Sequence, residues 1–207
     1  MFINLERPLM GKKIEDRLKE ITEPITLLIG KVREGDNVAR EELWKIFFPL
    51  LKQKADFCLR GNNVAAVMNP SDLVQDASMV LLKCEEIGWN DRAHLYAFAA
   101  TVMRHIIIDR ARKHLAKNRI YLPIDDLAGA PVPQDPSVLE IDEVLHQLTQ
   151  ADPVRARVFE LRFFGGLTNE EIAHVTGVSL ATVKRYWTFS RAFILSRLGE
   201  HHLPQES

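Results

Sequence analysis

Lys184, Arg185, Thr188 and Arg191 recur at intervals of one, three and three residues, with Thr182 just upstream. On an α-helix that spacing presents them together on one outward side, beside Ala181. Lysine, arginine and threonine so arranged perform recognition rather than bond breaking. They donate to phosphate oxygens and to the donor–acceptor pattern of base edges in a major groove. The opposite stripe, Val183, Trp187, Ser190, Ile194 and Leu198, repeats at the same period and must bury. A solvated amphipathic helix would show the same stripe, so the elements that position this one matter. Thr168 with Glu171 three residues later has the form of a capping box, opening a helix with Ile172 and Ala173 on its apolar side. Gly177 stands where a tight turn needs positive φ, and Ser179 suits the start of the second helix. The stretch 168–198 therefore reads as a helix-turn-helix with a basic second helix.

A second set of cations lies upstream. Residues 99–119 hold Arg104, Arg110, Arg112, Lys113, Lys117 and Arg119 against Asp109 alone, a net of +5. Residues 120–153 carry seven acidic residues and no Lys or Arg, and residues 154–199 return to +4. The overall charge of −1 hides this segregation, and local basic surface is what attracts a polyanion. Trp89, in the loop Gly88-Trp89-Asn90-Asp91, and Tyr96, on the first turn of the next helix, flank the basic track. Aromatic platforms beside cations hold unstacked bases. Trp89 fits equally well as a hydrophobic plug under its loop, and a solvated face accounts for the Arg and Lys as well as nucleic acid does.

A third constellation is DLVQDASMVLLK at 72–83. Leu73, Ala77, Val80, Leu81 and Cys84 share the inward side of a helix, with Asp72, Gln75, Asp76, Met79 and Lys83 outward. Carboxylates in a first turn are stabilised by the helix dipole, which suffices to explain Asp72 and Asp76. The functional reading is a docking face centred on Leu73, Gln75 and Asp76.

Catalytic signatures are missing from the sequence: no nucleophile with a paired base, no glycine-rich phosphate cradle, no metal-ligand spacing. The seven histidines are scattered, so neither metal nor cofactor is expected, and the chain reads as a non-enzyme. Cys58 and Cys84 have no C-x-x-C partner and read as reduced core thiols. No window approaches the ~20 apolar residues of a membrane span, and MFINLERPLMGKK lacks the zones of a secretion signal, so a cytoplasmic protein is expected.

The 207 residues show helical periodicity and no alternating run long enough for a sheet. The expected fold is all-α: two small helical domains joined by a flexible acidic linker, the C-terminal one a helix-turn-helix. The boundaries are an extension at 1–22, a first domain at 23–119, the linker at 120–137, a second domain at 138–199 and a tail at 200–207. The linker stretch YLPIDDLAGAPVPQDPS has four prolines, together with Asp125, Asp126 and Asp135, and nothing periodic to bury. Expected helices run from Pro24 to Arg33, Val38 to Arg60, Asn69-Pro70 to Ile87, Arg92 to Lys117, Leu139 to Thr149, and from Pro153 to Gly165-Gly166, before the pair opened by Thr168 and Ser179.

DLVQ at 72–75, FAATVMRHIIIDRARK at 98–113 and EEIAHVTGVSLATVKRYW at 170–187, in this order and spacing, resemble the two-domain extracytoplasmic-function (ECF) group of bacterial RNA polymerase sigma factors. The resemblance spans about 25–198. It implies that Asp72, Leu73, Gln75 and Asp76 grip core RNA polymerase. Trp89, Asn90, Arg92, Tyr96, Arg104, Arg112 and Lys113 would read and open the −10 promoter element, flipping a base into a pocket. Thr182, Lys184, Arg185, Thr188 and Arg191 would read the −35 element. The implied partners are core RNA polymerase, promoter DNA and an anti-sigma factor. The sequence departs from the pattern in GWNDRAHLYAF, which lacks the Trp-Leu pair of many relatives, so Tyr96 or Trp89 would have to substitute in base capture. The rival reading is a stand-alone helix-turn-helix operator-binding regulator, which would be dimeric with a ligand or phosphoacceptor pocket in its first domain. A further expectation is that the acidic linker folds back over the basic surfaces.

Overall fold

A computed structural model of the chain describes residues 24–59, 68–84, 89–121 and 137–201, the side chains of 118–121 and 199–201 excepted. The extension at 1–22, the linker residues 122–136 and the tail beyond His201 lie outside the described residues, and with them the proposed folding back of Asp125, Asp126 and Asp135.

All regular structure among the described residues is helical. Helix α1 covers residues 24–33 and buries Ile25, Leu28 and Ile29. Gly35, at φ +90°, turns the chain into Asp36, whose carboxylate accepts from the amides of Val38 and Ala39 and so caps α2 (Asn37–Leu59). Helix α3 (Pro70–Lys83) begins with Asn69 as cap and proline at the first helical position, as the dipeptide predicts. It ends at Lys83, short of the predicted Ile87, where Cys84 leaves helical geometry and donates its amide to the Leu81 carbonyl at 3.2 Å. Helix α4 (Arg92–Tyr121) passes the predicted Lys117 and enters the stretch expected to be linker. At about 45 Å it is long enough to leave the core, and residues 112–117 are all exposed.

The second lobe holds α5 (Val138–Ala151), α6 (Pro153–Phe163), α7 (Asn169–Thr176) and α8 (Leu180–His201). Asp152 ends α5 and caps α6 with its own side chain, so two helices meet at one residue. The capping box of Thr168 and Glu171 is present, and Gly177 takes the left-handed conformation at φ +71°. Ser179 accepts from the Thr182 amide at 3.2 Å and opens α8. The predicted seam of α8 is inward: Val183, Ser190 and Ile194 are fully buried, Leu198 nearly so and Trp187 half-buried.

The lobes do not stand apart. Leu43, Phe47, Leu73, Leu95 and Met103 of the first lobe and Leu145, Phe159, Phe164, Leu167 and Ile172 of the second belong to one continuous apolar core. The chain at Gly165-Gly166 lies so close to α4 and α2 that a Cβ at 165 would come within 2.6 Å of the Ala100 Cβ, and one at 166 within 2.9 Å of the Phe57 ring. Glycine is required there by close approach, not only to stop a helix.

Candidate nucleic-acid interface

On α8, burial of Val183 and Ile194 turns Lys184, Arg185 and Thr188 to solvent, with Thr182 and Arg191 partly covered at the edges. Among the described residues Lys184 and Arg185 form no ion pair; Arg185 lies 5.7 Å from the Tyr186 ring. The Thr182 hydroxyl lies 2.9 Å from that of Ser179, and Thr188 donates back to the Lys184 carbonyl at 3.1 Å. Anchoring comes from aromatics: Trp187 stacks on Phe159 and carries the Arg162 guanidinium 4.6 Å from its ring centroid, and Arg155 sits 4.1 Å from that of Phe189. Phe189 is exposed, an apolar element on this side that the sequence reading did not single out.

The cations of α4 are arranged differently, and here the sequence reading needs correction. Arg104 is held by Asp142 of α5 through two hydrogen bonds at 2.9 and 2.7 Å, with Glu160 of α6 at 3.4 Å, all three side chains largely buried. Glu160 also accepts from Thr101 at 2.8 Å and from Arg157 at 3.1 Å, and Arg157 reaches the Thr101 hydroxyl at 2.6 Å. Arg110 binds Asp76 of α3 at 2.6 Å. Arg112 is exposed yet within 3.4 Å of Asp142, and Lys113 pairs with Asp109 at 2.6 Å. The cations expected to be in surplus therefore have structural tasks. The acids on Arg104 and Arg112 come from α5 and α6, that on Arg110 from α3 and that on Lys113 from α4 itself.

Trp89 and Tyr96 are the second correction. Trp89 is 5% exposed, set edge-on to Trp44 at 5.9 Å and near Phe98, so the plug reading holds in this state. Tyr96 is 1% exposed, packed against Phe47 with the Lys54 ammonium 4.5 Å from its ring centroid. Neither ring can stack on a base as placed. Burial pushes the Tyr96 phenol up; Arg92 opposes the shift and Glu171 adds to it. Lys54 is pulled down by burial, against the attraction of Glu171, and donates to the Gly166 carbonyl at 3.2 Å. Arg92 meets Glu171 of α7 at 2.9 Å with both side chains nearly covered. Glu171 thus serves the cap of α7 and the junction between lobes at once. Asn90 is exposed.

At the same junction Asp91 caps α4 through the His94 amide and accepts from His94 Nδ1 at 3.0 Å and His174 Nε2 at 2.5 Å. Burial alone would raise its carboxyl, but the hydrogen bonds from His174 and His94 outweigh it and bring it to about 2. These histidines, eighty positions apart and read as scattered, are neighbours.

On α3 the predicted docking residues divide. Gln75 is exposed, and Asp72 and Asp76 are partly exposed; Asp72 is engaged with Asn69 in the cap, its amide and carboxylate both 2.9 Å from that side chain. Leu73 is fully buried and cannot be a contact surface. Val80, read as inward, is exposed with Met79, and both border a groove between α3 and α4 shared with Ile106, Arg110 and Lys113. Cys58 is buried in the core as expected, whereas Cys84 is only partly covered.

The sequence model of the family described as ECF sigma factor matches residues 22–200. The chain belongs to the ECF sigma factor family. Its members serve in transcription initiation and are not a family of catalysts. This sigma factor is also similar to the ferric citrate uptake sigma factor FecI of Escherichia coli (strain K12), 34% identical over 126 residues, which covers 58% of this chain and 71% of FecI. Among its described residues no helix is long and apolar enough to cross a membrane.

Proposed function

We propose that this sigma factor is a dissociable promoter-specificity subunit that binds core RNA polymerase and recognises and opens a two-part promoter. In this reading two functional units flank the linker at 120–137. The exposed side of α3, Asp72, Gln75 and Asp76 with Met79 and Val80 beside them, docks on the polymerase. Asn90, Arg92, Arg104, Arg112 and Lys113 serve the −10 element. Thr182, Lys184, Arg185, Thr188 and Arg191 serve the −35 element, where Arg and Lys favour guanine edges and phosphates. The observation that carries the reading is the exposed Lys184, Arg185 and Thr188 on the outward side of a helix held by its buried stripe.

The docked lobes add a condition. Arg104 and Arg92 face carboxylates of the other lobe, so the polymerase must separate the lobes before α4 can use them. An anti-sigma factor would act in the opposite sense, by holding them together. Two modest DNA contacts become strong only when one body fixes their spacing, which is the role left to core polymerase. Run-off transcription with core polymerase on a randomised promoter library tests this directly. The expected result is selection of two short elements at fixed separation. Absence of initiation on all templates, with no retention of the chain on core polymerase, overturns it.

A further inference from the structure

We infer that Asp91, His94 and His174 form a binding site for a divalent transition-metal ion, with Zn2+ as the type case, and that the ion staples the two lobes together. Asp91 and His94 belong to the start of α4, and His174 to the last turn of α7. Each offers one ligand atom, and the three atoms lie within 4.8 Å of one another. The two imidazoles already converge on one carboxylate, at 3.0 and 2.5 Å, and their rings lie 5.5 Å apart at 72°. Around a tetrahedral ion with bonds near 2.0–2.1 Å, neighbouring ligand atoms sit about 3.3 Å apart. Exchanging the two hydrogen bonds, one to each carboxylate oxygen, for metal bonds therefore asks each Asp91–histidine pair to open by less than about 1 Å and the two imidazole nitrogens, within 4.8 Å of each other, to close by no more than about 1.5 Å. Side-chain rotation can supply that at a surface site where His174 is more than half exposed.

The donor set selects the ion. Two imidazoles and one carboxylate suit zinc, cobalt or nickel, and not magnesium or calcium, which take oxygen ligands. The fourth position is left to water, because His174 opens to solvent. The consequence follows from placement. Arg92 with Glu171 and Lys54 with the Gly166 carbonyl already cross the junction here. A metal bridge across the same seam stabilises the docked state by the difference between three-ligand and two-ligand affinity, since separating the lobes removes one of three ligands.

The experiment uses the full chain with His201→Ala and His202→Ala, to remove the adjacent tail pair, and requires no polymerase, so its outcome is independent of the promoter-binding reading. Calorimetry with ZnCl2 and visible absorption with CoCl2 are expected to show one ion per chain. Changing an outer-shell partner of a metal ligand weakens a site about 10–100-fold, and loss of a ligand should do at least as much in His94→Ala and His174→Ala. Zn2+ should also slow amide exchange across Ile172–Gly177 at least tenfold in the parent chain and not in His174→Ala. Binding unchanged in the His94→Ala/His174→Ala double variant, or no binding at micromolar Zn2+, overturns the site. Binding at these residues without slower exchange in α7 overturns the staple.

Discussion

Two helices of this sigma factor carry clusters of cations and use them in opposite ways. On α8, Lys184 and Arg185 project into solvent without an ion pair among the described residues, and their backbone is fixed by a stripe with Val183, Ser190 and Ile194 fully buried. On α4, Arg104, Arg110, Arg112 and Lys113 each meet a carboxylate, and for Arg104 the carboxylates belong to the other lobe. A free cation is available to a phosphate at once. A paired one must first be released, and for Arg104, held by α5 and α6, that takes a change in tertiary structure. The difference teaches that charge in a sequence window counts side chains and not their availability.

The largest expected effect comes from breaking the pair that distinguishes α4. Arg104→Ala deprives Asp142, 14% exposed, of its nearest partner and Glu160, 11% exposed, of one of three. Removing one member of a buried pair costs about 3–5 kcal/mol. Because Glu160 keeps Thr101 and Arg157, a loss of about 2–3 kcal/mol is expected. Urea denaturation reads it as a lower midpoint. A midpoint equal to that of the parent chain would show that this pair does not hold the lobes. Gly165→Ala attacks the same seam sterically, with a Cβ placed 2.6 Å from Ala100, and overpacking of that kind costs about 1–3 kcal/mol. Its expected signature is faster amide exchange in α7, with α2 and α3 unchanged.

How legible this was in the sequence depends on range. Local chemistry was readable: Thr168 with Glu171, Asn69-Pro70, Asp152-Pro153 and Gly177 all act within four residues of themselves, and each occupies the predicted place. The α8 stripe was readable because one helical period encodes it. Contacts across the seam were not. Arg104 with Asp142, Arg92 with Glu171 and His94 with His174 join residues 38 to 80 positions apart, and no spacing rule links them. Trp89 and Tyr96 misled because an aromatic beside a basic stretch looks the same whether it faces a base or, as here, Trp44 and Phe47. Leu73 misled because its inward position, correctly read, was incompatible with the place at the centre of a docking face read for it as well.

The exposed side of the comparison sharpens with Lys184→Ala and Arg185→Ala. Neither side chain supports the core, so stability should change by no more than about 0.5 kcal/mol. Preference at the upstream promoter element should fall by about 1–3 kcal/mol for each lost base contact, read by selection on a randomised −35 library with the holoenzyme. Equal weakening on every sequence would make both residues backbone anchors and leave Thr182, Thr188 or Arg191 to read bases.

The smallest effect falls where the two helices are most alike. Lys113 is on α4, but it lies on the exposed stretch beyond the core, 75% exposed, and its partner Asp109 is on the same helix at i−4. Such pairs are worth about 0.3–0.5 kcal/mol, so Lys113→Ala should barely move the unfolding midpoint. A phosphate contact by Lys113 should show instead in salt dependence. The slope of log affinity against log salt for the holoenzyme–promoter complex should fall by about one, equally on all promoters. Arg104→Ala should change both stability and slope. If Lys113→Ala leaves the slope untouched, Lys113 makes no contact with the DNA backbone, and its part in promoter binding is ruled out.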